Sequence, residues 1–130
     1  MKLSLCSEYA LLSLIHLARR IGVEASTLEA IADAQHIPGE RLVELLAVLV
    51  QTGYLSRRRD GYRLARPAEQ ISVAEIIRLF DGALAPVEPV SEKGYQDAPM
   101  EREEKLAGLF GQVQAQVVER LEKTSLAELK

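Results

Sequence analysis

The chain has 130 residues and a formal net charge of −3, with 48 % hydrophobic and 27 % charged residues. This composition supports a packed core of one ordinary domain, and it excludes both global disorder and a polycationic nucleic-acid binder. A single cysteine excludes an internal disulfide, and no apolar run approaches the ~18 residues that span a bilayer. We therefore expect a reducing, cytoplasmic location and no membrane.

The first predicted element is a helix from Ser7 to Arg20. Its apolar residues form two adjacent stripes at i, i+3, i+4 and i+7, so we expect neighbours on two sides, and Gly22 ends it. Cys6, at the start of this helix, leaves two interpretations open: a reactive thiolate favoured by the helix N-terminus, or buried packing, which is the one we expect. His16 is expected to face the dimer helix rather than to bind a ligand.

Two further helices begin the strongest local signal, which spans residues 26–66. The capping box Ser26-x-x-Glu29 predicts a short helix, Leu28–Ala34, and a tight connection over residues 35–37 follows it. The next helix is predicted over Pro38–Thr52, where proline suits the first turn. Its buried stripe is predicted to consist of Leu42, Leu45, Leu46 and Leu49. Two helices in this order predict a helix-turn-helix, whose second helix can enter a major groove.

A β-hairpin is predicted over residues 55–64, directly after the helix-turn-helix. Residues 57–66 hold five of the eleven arginines and one aspartate, the only strong local imbalance of charge. The hairpin is either a DNA-binding wing or a solvated basic hairpin, and the preceding helices favour the wing. Glu40 and Glu44 count against DNA because carboxylates repel phosphates, although glutamate accepts a hydrogen bond from cytosine N4; Arg41 is the better candidate for guanine.

The remainder of the chain is predicted to hold two more helices. The capping box Ser72-x-x-Glu75 opens the first, and Gly82 ends it. A loop over residues 83–99 leads to a long helix, Met100–Lys123, about 36 Å in length. A third capping box, Ser125-x-x-Glu128, indicates a final short turn.

Apolar residues recur along the long helix at coiled-coil-like spacing. They are Leu106, Phe110, Val113, Val117 and Leu121. The stripe either packs against the first helix of its own chain or forms a homodimer, and we expect the homodimer because so small a domain cannot cover so long a helix. The predicted fold is mainly α with a small β-hairpin. We divide it into a winged helix-turn-helix domain (1–82), a loop (83–99), and a dimerisation helix with a C-terminal turn (100–130).

Three short segments occur together near the start, the middle and the end of the chain. They are Glu8-Tyr9-Ala10-Leu11, Gly61-Tyr62-Arg63-Leu64-Ala65-Arg66-Pro67 and Thr124-x-Leu126-x-x-Leu129. In this combination the chain resembles, over almost its full length, the IscR/NsrR/CymR type of bacterial winged-helix transcriptional regulators. The resemblance implies groove contacts from Pro38, Gly39, Glu40, Arg41 and Glu44. It implies a wing formed by Arg57, Arg58, Arg59 and Gly61, and phosphate contacts from Lys2 and Thr27.

The chain departs from this family pattern in two places. The Gly-rich wing loop of the family is compressed here to Arg58-Arg59-Asp60-Gly61-Tyr62, which shortens its reach. Many members also hold an iron–sulfur cluster with three cysteines in the loop before the long helix, whereas residues 83–99 here contain no cysteine and no histidine. We therefore predict no metal and no cofactor. Regulation is expected to come first from a small molecule in a pocket lined by Tyr9, Phe80 and the loop 83–99. A protein partner ranks second and oxidation of Cys6 third.

The predicted function is that of a homodimeric, sequence-specific transcriptional regulator that binds double-stranded DNA at a pseudo-palindromic operator. The alternative is a winged-helix module that binds a protein partner and has weak or no affinity for DNA. No Ser–His set, pair of carboxylates or phosphate-cradling glycine loop stands out in the sequence, so no enzymatic activity is predicted.

Overall fold

A computed structural model of the chain describes residues 3–82 and 99–130, without the side chains of residues 100 and 101. Its helices are α1 (Leu5–Ala18), α2 (Leu28–Gln35), α3 (Gly39–Gln51), α4 (Val73–Asp81) and α5 (Glu104–Lys123), and its strands are β1 (Leu55–Arg58) and β2 (Gly61–Leu64). Short 3₁₀ turns occupy Ala68–Gln70, Pro99–Arg102 and Leu126–Glu128. The predicted fold class, mainly helical with one antiparallel hairpin, is confirmed.

In the part of the chain that the structure describes, every helix is too short or too polar to cross a membrane.

The core forms where α1, α3 and the ends of the hairpin meet. Ala10, Leu14 and Leu17 of α1 are buried in it. The predicted stripe of α3 is confirmed, since all four of its leucines, Leu42, Leu45, Leu46 and Leu49, are buried. Leu55 of β1 and Tyr62 of β2 are buried in the same cluster, so one side of the hairpin belongs to the same core as the helices.

The first helix begins two residues earlier than predicted, because Ser4 caps it. The Ser4 hydroxyl accepts a hydrogen bond from the Ser7 amide at 3.1 Å, and the Ser4 amide donates to the Asp81 carboxylate at 3.0 Å. Burial raises the pKa of Asp81, but the hydrogen bonds from Ser4 and Ser7 outweigh it and hold that pKa below its usual value. The expected burial of Cys6 was wrong, since this residue lies in the exposed first turn of α1.

The predicted capping box Ser26-x-x-Glu29 was also wrong. The N-cap of α2 is Thr27, whose hydroxyl accepts a hydrogen bond from the Ala30 amide at 3.1 Å. Ser26 is committed elsewhere: its backbone pairs with Tyr62 of the hairpin, and its hydroxyl lies 3.1 Å from His16 Nε2. His16 thus contacts the segment before α2, while its expected contact with the dimer helix stays a prediction.

The C-terminal part departs from the prediction at one end of its helix. The chain forms a 3₁₀ turn from Pro99, so α5 begins at Glu104 instead of Met100 and its 20 residues span about 30 Å. The predicted loop lies outside the described residues, except for Pro99. The capping box at the start of α4 is confirmed, with both of its hydrogen bonds present.

The segment after α5 returns to the start of α4. The Val73 amide donates to the Thr124 carbonyl and the Leu126 amide to the Ile71 carbonyl, each at 2.9 Å. Leu126 is fully buried in the main core. The last turns of the chain therefore complete the winged-helix core, while the division of the chain at residues 82 and 100 stays a prediction.

Candidate nucleic-acid interface

The turn between α2 and α3 sets the direction of the second helix. His36 adopts a left-handed conformation, φ 55° and ψ 46°, and Ile37 is buried beneath it. Pro38 precedes the first turn of α3 without a side-chain cap, so the N-terminus of α3 is open to solvent on its outer side. Gly39 is half-buried against Leu28, which holds the two helices close together.

The outer face of α3 is polar with one exception. Its exposed side chains are those of Glu40, Arg41, Val43, Glu44, Ala47 and Gln51. Three of the predicted groove contacts, Glu40, Arg41 and Glu44, are among them. Val43 was missed by the sequence analysis, although it is 52 % exposed in the middle of the helix. Only the absence of Val43 from the leucine stripe signalled this position in the sequence.

The hairpin is short and carries its charge at the tip. The strands pair from Leu55 opposite Leu64 to Arg58 opposite Gly61, which leaves a turn of two residues. Arg57, Arg58 and Arg59 are exposed there. The Arg57 guanidinium lies 5.8 Å from the centroid of the Tyr62 ring, at a distance where the ring face attracts a cation.

The other two arginines of the hairpin region are bound within the molecule. Arg63 donates to the Val23 carbonyl at 3.0 Å and lies 3.4 Å from the Asp60 carboxylate. Arg66 donates to the Gln70 carbonyl at 3.2 Å and to Glu75 at 3.4 Å. The five arginines thus divide into three near the tip, which take part in no ion pair within the described residues, and two, Arg63 and Arg66, whose side chains tie the hairpin to neighbouring segments.

A small polar cluster joins the base of the hairpin to α4. Arg66 stacks over the Tyr54 ring at 5.0 Å, and the Tyr54 hydroxyl donates to Glu75 at 3.2 Å. Burial raises the pKa of Glu75, but the hydrogen bond from the Ser72 backbone and the charge of Arg66 outweigh it and lower that pKa. Glu75 therefore stays ionised while it serves the helix cap and the hairpin together.

A close backbone approach fixes the other side of the hairpin. Gly61 has φ +129°, and a Cβ atom there would come 2.4 Å from the Ser26 carbonyl oxygen. The Tyr62 amide donates to the same carbonyl at 2.7 Å. The Ser26 hydroxyl lies 3.1 Å from His16 Nε2. Burial first, then the charges of Arg20 and Arg19, lower the pKa of His16 from the usual 6.5. Gly61, predicted as a DNA contact of the wing, thus has a structural role, and its DNA contact stays a prediction.

Two predicted phosphate contacts remain. Thr27 is exposed at the N-terminus of α2, although its hydroxyl oxygen already accepts the capping hydrogen bond. Lys2 lies outside the described residues. Both stay predictions.

A groove of about 610 Å³ lies between α1, α3 and α4. It is lined by Cys6, Tyr9, Glu40, Arg41, Glu44, Leu45, Val48 and Phe80. Tyr9 and Phe80, which were predicted to line an effector pocket, are therefore brought together; the loop expected beside them lies outside the described residues apart from Pro99. Three of the liners also belong to the exposed face of α3, so a molecule held in this groove would touch the recognition helix.

The long helix leaves much of its apolar face uncovered. No residue of α5 is buried, and Leu106 and Leu109 are 42 % and 52 % exposed. Phe110, Val113 and Val117, predicted for the dimer interface, are half-buried. Val118 and the predicted interface residue Leu121 pack against Val73, Ala74 and Ile77 of the same chain. The C-terminal end of α5 is thus covered by α4, whereas its N-terminal half has apolar side chains in solvent.

Comparison with known proteins gives a family match over nearly the whole chain. The model of the Rrf2 family, described as iron-dependent transcriptional regulators, matches residues 3–130. A protein of Mycobacterium tuberculosis that bears the name of a helix-turn-helix-type transcriptional regulator is 34 % identical over 134 residues, covering 99 % of this chain and 81 % of that protein. The transcriptional regulator CymR of Bacillus subtilis is 29 % identical over 132 residues, covering 99 % and 89 %.

Solved structures agree with the sequence comparison. B. subtilis CymR, named there as the global cysteine regulator, superposes with a TM-score of 0.78 at 28 % identity, covering 99 % of this chain and 95 % of that chain. The oxidized form of Staphylococcus aureus CymR gives 0.74 at 30 % identity, with 99 % and 95 % covered. The resemblance stated from the sequence is confirmed.

The iron named in the family description can be tested against the donors of this chain. An iron–sulfur cluster needs about four ligands, usually thiolates. Cys6 is the only cysteine of the sequence, and residues 83–98 contain no histidine. Among residues 3–82 and 99–130, no three side chains of the types that bind metals come together. The residues of this chain therefore do not fit such a cluster.

Proposed function

We propose, on the premise that this chain belongs to the Rrf2 family of DNA-binding transcriptional regulators, that it acts as a homodimer on a pseudo-palindromic operator. Each subunit would offer α3 to the major groove of one half-site and the hairpin to the adjoining phosphates. The family consists of regulators, so the chain is a regulator and not an enzyme. We place it in the cytoplasm, where a bacterial regulator meets its operator.

The single observation that carries the phosphate contact is the charge at the tip of the hairpin. Asp60, the only carboxylate of the turn, lies beside Arg63. Among residues 3–82 and 99–130, Arg57, Arg58 and Arg59 take part in no ion pair. Three positive charges therefore face solvent together. Guanidinium groups bind phosphates well because their N–H donors match the spacing of the phosphate oxygens.

The recognition helix supplies the sequence-specific part. Glu40 and Glu44 leave α3 with little attraction for phosphates. The helix therefore contributes to the choice of sequence through base contacts more than to overall affinity. Arg41 has the donors that guanine O6 and N7 accept, and a glutamate accepts from cytosine N4. Pro38 and Gly39 bring the first turn of α3 close to the DNA, Thr27 and Lys2 approach the backbone, and Gly61 shapes the wing.

The exposed half of α5 supports the dimer. Leu106 and Leu109 stand on the same side of the helix as Phe110, Val113 and Val117, at spacings of three and four residues. Two copies of this face, packed together, would remove the leucines from water without disturbing the contact of Leu121 with α4. We place the dimer interface in this half of the helix, with Leu121 at its edge.

Regulation does not need a cluster in this proposal. A small molecule in the groove beside Tyr9 and Phe80 is the first candidate effector, because it would touch Arg41 and Glu44 of the recognition helix. A protein partner is the second. Oxidation of the exposed Cys6, at the mouth of the same groove, is the third.

A mobility shift with fragments of the host genome, repeated between 50 and 200 mM salt (about a fourfold range), tests the function. We expect tight binding to few fragments and weak, strongly salt-dependent binding to the rest. Footprints on the selected fragments should show two protected half-sites about one helical turn apart. Absence of binding at every salt concentration would contradict the proposal and favour the alternative, a module that binds only a protein partner.

A further inference from the structure

The largest apolar side chain on the exposed face of α3 has no role so far. Val43 is 52 % exposed in the middle of α3, where every fully buried residue is a leucine. A single exposed valine is ordinary on most surfaces. Here, however, it lies on the helix that the proposed function inserts into the major groove, so its surroundings in the complex would be base edges and not water.

The helical spacing places Val43 beside two other outward positions. Glu40 is three residues before it and Ala47 four residues after it, so Val43 lies at one edge of the exposed face with these two side chains beside it. Arg41 is on the opposite edge, where it lines the groove with Tyr9. Glu40 and Glu44 line that groove as well, whereas Val43 and Ala47 do not, so the apolar part of the exposed face lies on the side away from α1.

The chemistry of Val43 and Glu40 matches pyrimidines. An apolar side chain in the major groove finds one apolar group on the base edges, the C5-methyl group of thymine. A carboxylate is a hydrogen-bond acceptor, and the N4 amino group of cytosine is a donor that it can accept from. Val43 and Glu40, three residues apart, are thus suited to a thymine and a cytosine on neighbouring positions of one strand.

We propose that Val43 determines specificity by packing against the C5-methyl group of a thymine in each half-site, next to a cytosine that Glu40 reads. The inference rests on the proposed function and adds to it a base and a contacting group. Ala47, one turn further, is small enough to let the methyl group approach the helix.

Uracil in place of thymine removes only the methyl group and provides the test. An operator is first selected from a random duplex library with the full-length chain, and each thymine of one half-site is then replaced singly by uracil. We expect one replacement to weaken binding about fourfold, as the loss of one buried methyl group does. The Val43→Ala variant should bind the thymine operator more weakly and show no further loss with uracil at that position.

The matched control is Val23→Ala, since Val23 is also an exposed valine, 49 % accessible, but lies outside α3. This variant should keep the full effect of uracil. The inference is overturned if Val43→Ala retains that effect at every thymine, or if no thymine of the selected operator is sensitive to uracil in the parent chain. If the parent chain selects no sequence at all, the proposed function fails as well, which distinguishes the two failures.

Discussion

Gly61 and Ser26 meet so closely that no side chain fits between them, since a Cβ atom on Gly61 would lie 2.4 Å from the Ser26 carbonyl oxygen. The obstacle is backbone and cannot rotate away. The same carbonyl accepts a hydrogen bond from the Tyr62 amide, so the hairpin is seated on the segment before α2 through its main chain. The position of the tip arginines relative to α3 depends on this backbone contact.

Gly61→Ala should therefore displace the hairpin and weaken DNA binding at least tenfold. Gly53→Ala is the matched control, because Gly53 also has a positive φ, +88°, but has no atom within 4 Å of the added Cβ position. We expect Gly53→Ala to cost about 1 kcal/mol of stability from backbone strain alone and to leave affinity nearly unchanged. Chemical denaturation and mobility shifts measure the two effects; equal affinity in both variants would show that this backbone contact is unimportant.

Replacement of Arg57, Arg58 and Arg59 by alanine should weaken binding to all sequences and flatten the plot of log K against log salt by up to ~3 units, about 0.9 for each phosphate contact. Arg66→Ala is the contrast. Its side chain is bound to Glu75 and Gln70, so its loss should lower stability by about 1 kcal/mol and leave the salt slope close to that of the parent. An unchanged slope in the triple variant would rule out the wing as the source of affinity.

The double variant Leu106→Asp and Leu109→Asp should be monomeric, because it places charges in the proposed interface. Both side chains are exposed in a single chain, so the monomer itself should stay folded. The control is Gln112→Asp with Ala115→Asp, which adds the same charge to exposed positions on another side of α5. Sedimentation measures the mass; a dimer that survives only the control substitutions supports the interface, and one that survives both sets contradicts it.

Stability should fall as the pH is lowered from about 7, because His16 resists protonation in the folded chain. Burial, then Arg20 and Arg19, hold its folded pKa below the usual 6.5, so the unfolded chain takes up the proton first. The loss should begin near the unfolded pKa and level off below the folded one. Urea unfolding at several pH values should show this contribution in the parent and lack it in His16→Gln. Identical pH profiles would assign the effect to other groups.

Anaerobic purification should yield protein without stoichiometric iron or acid-labile sulfide. The reason is the donor set, since one subunit offers Cys6 as its only thiolate and a dimer would pool two, fewer than a cluster requires. Iron and sulfide analysis, with a visible spectrum, measures this. A charge-transfer band that disappears in Cys6→Ala would show that the chain holds iron after all.

Capping residues and helix-ending glycines predicted most of the helix boundaries. Ser72 with Glu75 begins α4, and Gly82 ends it at a positive φ, because these residues act on the backbone beside them. Ser26 and Thr27 show the limit. Both are good caps by type, and the choice of Thr27 follows from the pairing of Ser26 with Tyr62, a contact between residues far apart in sequence. Such long-range pairing has no local signature.

The candidate site was predictable in its parts but not in its arrangement. The excess of arginine in residues 57–66 was visible in the sequence, whereas the attachment of Arg63 and Arg66 to neighbouring segments depends on Val23 and Glu75. Val43 escaped notice because a valine within a leucine-rich helix is usually taken as core. Its exposure follows from a rotation of about 100° per residue away from Leu42.

Because α5 is attached to the rest of the chain at its C-terminal end, a small rotation there moves its N-terminal end over a larger distance. Its last turn is fastened to α4 through Leu121, the ion pair of Arg78 with Glu122 at 2.9 Å, and the backbone bond from Val73 to Thr124. The opposite end lies about 30 Å away. A tilt of about 10° at the fastened end would carry the first turn of α5 through about 5 Å. If two copies join through that far half, a small change at α4 alters the separation of the two recognition helices, and with it the operator spacing that the dimer accepts.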